Sequence, residues 1–236
     1  MTFDQGAASC RCEWGLAGVD ALAPADVVIV IDVLSFCTCV DIAAGRGTVV
    51  LPYAWKDGSA AEFAVAQGAE LAGPRGRARY SLSPASFLDA PPGLRCVLPS
   101  PNGATPALRA GAKGGLVLAG CLRNASAVAA AARDAGSTFN VCPAGERWPD
   151  GTLRPAIEDW LAAGAILRHL PGSRSAEAAA AVAAFEDAWD ALGERLARSG
   201  SGRELIARGF ECDVELAAAI DVSDQVPHCD DGAFSR

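Results

Sequence analysis

The sequence predicts an α/β fold with a largely parallel sheet, flanked by helices on both faces, and a helical C-terminal part. Three observations predict it. Short, continuous apolar runs are typical of strands that are covered on both faces. Alanine-rich segments with helical periodicity separate these runs, and such alternation is typical of parallel sheets. After Cys142 the strand-like runs stop and longer helical segments follow.

The strand predictions rest on unbroken runs of β-branched and other apolar residues. Residues 27–31, which contain only valine and isoleucine, are the clearest example. The predicted strands are residues 26–33, 48–53, 95–98, 116–118 and 138–142. The helices predicted between them are residues 37–44, 58–67, 105–110 and 124–135.

Residues 143–154 contain prolines and glycines, and we predict a long loop there. The helices predicted after it are residues 155–169, 176–197, 203–207 and 214–220. Pro155 suits the first turn of the first of these helices. The second carries an apolar stripe that we expect to pack against the sheet: Phe185, Trp189, Leu192 and Leu196. Because no repeat or low-complexity linker appears, we expect one domain over residues 1–236.

Composition excludes several classes of protein. Of the 236 residues, 51% are apolar and 20% charged, which supports a packed core rather than disorder. The formal charge of −8 argues against a nucleic-acid partner. Asp32 interrupts the most apolar run far short of the roughly 20 residues that span a membrane, so we expect no membrane partner. No secretory signal is visible and the nine cysteines are scattered, so we expect a cytoplasmic location.

Ligands of open α/β sheets bind beyond the carboxyl ends of the strands, which directs attention to four strand–helix junctions. The first contains Asp32, Ser35 and Thr38. A carboxylate at the end of an apolar run needs a partner, and a divalent cation or a hydrogen-bond network would provide one for Asp32. Capping of the following helix by any of the three residues is an equal alternative.

The second and third junctions offer groups that bind anions. The Asn102-Gly103 pair tolerates positive φ, so its backbone N–H groups can turn inward toward an anion; an ordinary turn is the alternative. In the third junction Asn124 is placed as a helix N-cap, and Arg123 is a candidate contact for phosphate or sulfonate. Cys121 is the thiol at this junction, and an enzyme that depends on it is a further reading.

At the fourth junction Glu158 and Asp159 begin a helix. The helix dipole alone favours acids in a first turn. A carboxylate cluster facing Asp32 would instead form an oxygen-rich site suited to Mg²⁺. Three arginines at a spacing of two residues, Arg75, Arg77 and Arg79, are expected to lie on a solvated edge.

Familiar catalytic motifs are absent from the sequence. It contains no Walker lysine loop, no G-x-G-x-x-G and no G-x-S-x-G. His169 and His228 are its histidines, so a histidine-based triad or a histidine-rich metal site is hard to build.

The junctions also match a known family in their order and spacing. The matching pieces are Val30-Ile31-Asp32-Val33-Leu34, Ser83-Pro84, Asn102-Gly103, Asn124, Glu158-Asp159 with Ala163-Gly164-Ala165, and a tail with Asp213, Asp221 and Val226-Pro227. On these pieces the chain resembles the 2-phosphosulfolactate phosphatase family over residues 27–227.

The resemblance implies a Mg²⁺-dependent phosphatase acting on a small phosphorylated anion such as 2-phosphosulfolactate. It implies that Asp32 holds Mg²⁺ with help from Glu158 or Asp159. The expected phosphate-binding residues are Asn102, Gly103 and Asn124. The residues expected to shape the anion pocket are Ser35, Thr38, Cys121 and Arg123.

Ser35 departs from the family pattern, which has an arginine directly after the Asp-Val-Leu run. Serine cannot replace the charge of arginine, so we expect the organic part of the substrate to differ from that of the family. The alternative function is an anion-binding or regulatory protein that keeps the fold without turnover. Alanine-rich helices with Trp160 and Trp189 are compatible with a homodimer interface or with buried core.

Overall fold

The computed structural model describes residues 3–54 and 57–236. Its strands are β1 (Cys10–Cys12), β2 (Val27–Ile31), β3 (Val49–Tyr53), β4 (Glu70–Leu71), β5 (Arg95–Pro99), β6 (Leu116–Gly120), β7 (Phe139–Pro143), β8 (Glu146–Arg147), β9 (Leu153–Arg154), β10 (His228–Asp230) and β11 (Ala233–Ser235). Its helices are α1 (Gly15–Ala21), α2 (Phe36–Gly45), α3 (Ser59–Ala66), α4 (Ala104–Lys113), α5 (Ala125–Ala135), α6 (Ile157–Leu167), α7 (Ala176–Ala188), α8 (Leu192–Arg198), α9 (Gly200–Ala207) and α10 (Glu211–Ala218). Short 3₁₀ helices span Pro84–Phe87 and Trp189–Ala191.

Within the described residues, nine strands form one mixed sheet in the order β1-β7-β2-β6-β10-β11-β3-β5-β4. Two groups of parallel strands, β1-β7-β2-β6 and β3-β5-β4, make up most of it. The antiparallel hairpin β10–β11 joins the groups, pairing with β6 at His228 and with β3 at Phe234. The α/β fold with a largely parallel sheet is therefore confirmed.

The register of the central strands determines where their polar junctions meet. Ile31, the last residue of β2, pairs with Gly120 of β6 on one side and with Pro143 of β7 on the other. Three adjacent parallel strands thus end at the same level. The residues that follow them, Asp32 among them, share one rim of the sheet.

The sheet is covered on both faces, as predicted. Along β2, Val27, Ile29 and Ile31 belong to a hydrophobic cluster with α5, α6 and α7, whereas Val28 and Val30 belong to a second cluster with α2 and α4. Successive side chains of a strand point to opposite faces, so a strand between two helical layers is apolar at every position. This explains the unbroken apolar run.

The helical C-terminal part is confirmed, with one interruption. The helix predicted over residues 176–197 is broken by the 3₁₀ turn Trp189–Ala191. Gly193, a poor helix former, lies at the start of the helix that follows. Phe185, Leu192 and Leu196 of the predicted apolar stripe are buried, but Trp189 is 48% exposed.

The strands that the sequence did not predict are two or three residues long. They are β1, β4, β10 and β11, together with the pair β8–β9 inside the predicted loop 143–154. Runs this short carry no periodicity, and pairing with a neighbour is what makes them strands.

Two further expectations concern surfaces. The Trp160 ring stacks on Trp14 with centroids 5.2 Å apart, and Arg168 lies over the exposed Trp189 ring. These contacts are made within the chain, and the homodimer stays a prediction. In residues 3–54 and 57–236, no helix combines the length and the apolarity that crossing a bilayer requires.

Helices α6 and α7 approach closely at Gly164. A Cβ placed on Gly164 would overlap the carbonyl oxygen of Ala181 and lie 2.7 Å from the Phe185 Cβ. The absence of a side chain at Gly164 therefore sets the distance between the two helices. Because α6 also carries Glu158 and Asp159, this contact fixes the position of both carboxylates.

Replacing Gly164 with alanine is expected to lower the free energy of unfolding by about 3 kcal/mol, because backbone must move to admit the methyl group. Gly111→Ala is the matched control, since nothing lies within 4 Å of a Cβ at that position of α4. The control should gain about 0.5–1 kcal/mol through helix propensity. Urea denaturation of both variants checks this, and equal effects would contradict the packing argument.

Candidate active site

Asp32 follows β2 directly and is 6% exposed. Its Oδ1 accepts a hydrogen bond from the Phe36 N–H at 3.0 Å, and its carbonyl accepts one from the Cys37 N–H at 2.8 Å. The side chain thus caps α2 with one oxygen. Within the described part of the chain, the one donor to the other oxygen, Oδ2, is the Ser100 hydroxyl, at 3.5 Å. Capping therefore uses Oδ1 of Asp32 and leaves Oδ2 available as an acceptor.

Gly103 packs directly against this carboxylate. A Cβ on Gly103 would lie 2.6 Å from Asp32 Oδ2 and 2.7 Å from the Phe36 Cβ. The backbone at Gly103 has φ −81°, and Asn102 is not among the residues with positive φ. The expectation that the Asn102-Gly103 pair uses positive φ is wrong. Glycine is needed here for close approach to Asp32.

Glu158 and Asp159 both lie in the first turn of α6 and are 2% and 3% exposed. Asp159 accepts two backbone hydrogen bonds, from the Val33 N–H at 2.7 Å and from the Gly145 N–H at 2.8 Å. It thereby ties the loops that follow β2 and β7 to α6. Glu158 Oε2, by contrast, is buried and has no hydrogen-bond partner among residues 3–54 and 57–236.

A fourth carboxylate, Glu146, extends this group. Its Oε2 accepts a hydrogen bond from Asn102 Nδ2 at 2.8 Å, and Asn102 Oδ1 accepts one from Arg147 Nε at 3.2 Å. Asn102 thus connects β8 to the junction after β5. Nothing in the sequence pattern distinguished Glu146, which lies within the predicted loop 143–154.

Burial and mutual repulsion perturb the carboxylates. Burial raises the pKa of Asp32 to about 7; the Glu146 and Glu158 carboxylates add to the rise, and the Phe36 N–H and Arg75 oppose it. Burial, together with the Asp32 and Glu158 carboxylates, also raises the pKa of Asp159. Burial raises the pKa of Glu146 as well. The rim therefore concentrates more negative charge than its protein neighbours neutralise.

These donors fit Mg²⁺ better than they fit a cage made of protein ligands. Among the described residues, no three His, Cys, Asp or Glu side chains are placed to hold a metal ion together. Mg²⁺ commonly takes one or two carboxylates and completes its octahedron with water and phosphate oxygens. Asp32 Oδ2 and Glu158 Oε2 are the oxygens that the protein leaves with the fewest partners.

The remaining residues of the first junction face inward. Thr38 is fully buried, and its hydroxyl donates to the Val33 carbonyl at 2.7 Å. Ser35 is the N-cap residue of α2, but its side chain makes no capping bond. Its Oγ instead accepts a hydrogen bond from Arg75 Nη2 at 2.6 Å. The guanidinium of Arg75, 40 positions away in the sequence, therefore lies against Ser35.

Arg75 corrects the expectation of a solvated edge. Its side chain is only 14% exposed, lies 3.5 Å from Asp213 Oδ2 and also donates to the Leu82 carbonyl. Arg77 and Arg79, its neighbours at the same spacing, are exposed. Nothing in the spacing of the three arginines distinguishes Arg75, and only the tertiary contact with Ser35 reveals it.

The third junction is engaged within the fold. Asn124 is fully buried: its Oδ1 accepts from the Cys121 N–H at 2.9 Å, and its Nδ2 donates to the carbonyls of Ala119 and Gln225, both at 3.2 Å. The side chain does not cap α5. Both amide hydrogens are used, so Asn124 fastens the C-terminal segment to β6.

Arg123 and Cys121 are likewise occupied. Arg123 Nε forms an ion pair with the buried Asp41 at 2.8 Å, and its Nη1 donates to the Leu216 carbonyl. Burial raises the pKa of the Cys121 thiol, which disfavours the nucleophilic thiolate. The structure thus places Gly103 against the Asp32 carboxylate and ties the loop after Asp32 to Asp159, the neighbour of Glu158 in α6. It turns Asn124 and Arg123 toward structural partners.

The chain is similar to known proteins over most of its length. A model of the family described as 2-phosphosulpholactate phosphatase matches residues 18–232. The chain is also 36% identical over 115 residues to a protein of Methanothermobacter thermautotrophicus named 2-phosphosulfolactate phosphatase, covering 49% of this chain and 48% of that protein. The aligned part thus spans about half the length of that curated relative. Because the family match covers nearly the entire chain, the protein belongs to the 2-phosphosulpholactate phosphatase family.

Proposed function

We propose that the protein is a cytoplasmic, Mg²⁺-dependent phosphatase that hydrolyses a small anionic phosphoester of the 2-phosphosulfolactate type. Family membership and the name of the Methanothermobacter relative support hydrolysis of a phosphoester. The observation that carries the proposal is the buried pair Asp32 and Glu158, each with an oxygen that lacks a strong protein partner. All nine cysteines are free, which supports the location.

Asp32 Oδ2 and Glu158 Oε2 are the proposed Mg²⁺ ligands. When bound, Mg²⁺ would offset the charge of a phosphoryl oxygen and of the carboxylates around it. Asp159 positions both ligands, because its two backbone hydrogen bonds hold the Asp32 loop against α6. Gly103 keeps the approach to Asp32 Oδ2 free of side-chain atoms.

Hydrolysis adds water across the phosphoester bond and yields an alcohol and inorganic phosphate. The attacking water must lose a proton, and the departing alkoxide must gain one. Glu146 is the proposed group for this proton transfer, because it is partly exposed and burial raises the pKa of its carboxyl. Asn102 orients Glu146 through the 2.8 Å hydrogen bond to Oε2.

Asp32→Asn is expected to lower kcat/KM for phosphate release at least ~100-fold, because a metal ligand is lost. The measurement is phosphate release from a panel of phosphorylated 2-hydroxy acids, with Mg²⁺ and with EDTA. Asp26→Asn is the matched control. Asp26 lies directly before β2, at the end of the strand opposite to Asp32, and accepts hydrogen bonds from the Ser137 and Thr138 N–H groups. The control should keep its rate.

Indifference of the wild-type enzyme to EDTA, or of the rate to Asp32→Asn, would contradict the mechanism. Anion binding without any turnover would favour a regulatory protein instead.

Glu158→Gln is expected to lose the response to Mg²⁺ but keep its stability, whereas Asp159→Asn is expected to lose stability. Glutamine at 158 removes an unpartnered buried charge, so the metal-free variant should be at least as stable as the wild type, but Mg²⁺ should no longer stabilise it. The wild type should gain about 2.7 kcal/mol at a Mg²⁺ concentration 100 times Kd. Urea unfolding with and without Mg²⁺ measures both quantities.

Asparagine at 159 has one acceptor oxygen for two backbone donors, so this variant should lose about 2–3 kcal/mol in EDTA. Similar stabilities and similar Mg²⁺ responses of the two variants would contradict the division of roles.

The metal-free protein is expected to lose stability as the pH rises from about 4 to about 7. Folded Asp32 keeps a proton up to about pH 7, because burial and neighbouring carboxylates raise its pKa, whereas the unfolded side chain releases it near 3.8. In that window the folded state binds more protons, so rising pH favours unfolding, by at most about 1.4 kcal/mol per pH unit. Urea unfolding in EDTA should show a flatter pH profile for Asp32→Asn. Identical profiles would refute the assignment.

A further inference from the structure

A cavity of about 340 Å³ lies between α1, α4 and the β8–β9 hairpin. Apolar residues make up most of its lining, and the larger of them are Trp14, Leu16, Pro106 and Leu153. We call this cavity the Trp14 pocket. Its volume and its apolar lining are typical of sites for small molecules.

The Trp14 pocket adjoins the carboxylate rim through two of its lining residues, Glu146 and Asn102. Glu146 Oε2 accepts a hydrogen bond from Asn102 Nδ2 at 2.8 Å. The residue after Asn102 is Gly103, which packs against Asp32 Oδ2. A phosphoester bound at the rim can therefore extend its alcohol portion past Glu146 into the pocket.

The charges that line the Trp14 pocket favour a neutral occupant. Asp20 and Glu146 are acidic, and Arg147 is the basic residue among the described lining residues. Arg147 is engaged within the chain, since its Nε donates to Asn102 Oδ1 at 3.2 Å. Two carboxylates against one guanidinium make the local balance negative, which disfavours a sulfonate or a carboxylate at this position.

Packing holds the walls of the Trp14 pocket in place. The Trp14 ring stacks on Trp160 with centroids 5.2 Å apart. At Gly145, where φ is +68°, a Cβ would lie 2.8 Å from Leu153 Cδ1 and 3.5 Å from Trp14 Cε3. Glycine at this turn thus lets two wall residues pack closely. Walls that are already ordered lose little conformational entropy when an apolar group binds between them.

We propose that the Trp14 pocket receives an apolar alcohol portion, so that the protein hydrolyses phosphomonoesters of benzyl-type alcohols as a further activity. The inference rests on the proposed function, because the rim carries out the hydrolysis. The water oxygen bonds to phosphorus, and the bond between phosphorus and the alcohol oxygen breaks. One proton of the water passes to Glu146, and Glu146 gives a proton to the departing alkoxide.

The binding test is calorimetric titration in Mg²⁺ with benzylphosphonate and with methylphosphonate, which share the phosphonate but not the ring. The wild type should bind benzylphosphonate about tenfold more tightly, because its ring is buried against apolar side chains. Leu16→Ser and Leu153→Ser should each lower this affinity ratio about threefold. Leu16 is 37% exposed and Leu153 is 41% exposed, so neither side chain belongs to the buried core.

Leu88→Ser is the matched control. Leu88 is also 41% exposed, but it does not line the Trp14 pocket. This variant should keep the affinity ratio of the wild type. Equal affinities of the wild type for the two phosphonates, or an unchanged ratio in both Leu16→Ser and Leu153→Ser, would overturn the proposal.

A kinetic test separates this inference from the proposed function. Benzyl phosphate and ethyl phosphate release alcohols of similar acidity, so a difference in kcat/KM between them reports on recognition of the ring. The wild type should favour benzyl phosphate about tenfold, and Leu16→Ser should lower that preference about threefold.

Hydrolysis of phosphorylated 2-hydroxy acids with equal kcat/KM on the two simple esters would overturn this inference and leave the proposed function standing. A tenfold preference for benzylphosphonate without hydrolysis of any phosphoester would support the pocket and overturn the phosphatase.

Discussion

The burial of several carboxylates at one rim of a parallel sheet is the constraint on which the site depends. The carboxylates of Asp159, Asp32 and Glu158 receive unequal numbers of hydrogen bonds. Asp159 receives two backbone N–H groups, Asp32 receives one and a distant hydroxyl, and one oxygen of Glu158 receives nothing. A buried charge without a partner costs several kcal/mol, so this gradient identifies where a cation would contribute most. The hydrogen bonds of Asp159 and the α6–α7 contact at Gly164 hold these carboxylates in place.

Positive charge is placed close to this deficit without cancelling it. Arg75 opposes the rise in the pKa of Asp32, yet its own hydrogen bonds and its ion pair go to Ser35, Leu82 and Asp213. The guanidinium therefore acts on the rim through space.

The sequence predicted the fold because it follows from general rules, whereas a shared metal site of Asp32, Glu158 and Asp159 stays a prediction. Continuous apolar runs identify strands covered on both faces, and parallel strands end at a common rim. These rules do not predict the structural roles of Asn124 and Arg123. Their partners, Gln225 and Asp41, are set by tertiary packing, and a polar residue after a strand looks the same whether it binds ligand or backbone. The contact of Arg75 with Ser35 joins residues 40 positions apart and has no local signal.

The proposed Mg²⁺ site is tested most directly by anomalous X-ray diffraction from crystals grown with Mn²⁺, which replaces Mg²⁺ and scatters anomalously. We expect a peak bonded to Asp32 Oδ2 and Glu158 Oε2, with water completing the coordination shell. Crystals in which Mn²⁺ supports phosphate release but both carboxylates remain free of metal would contradict the central claim.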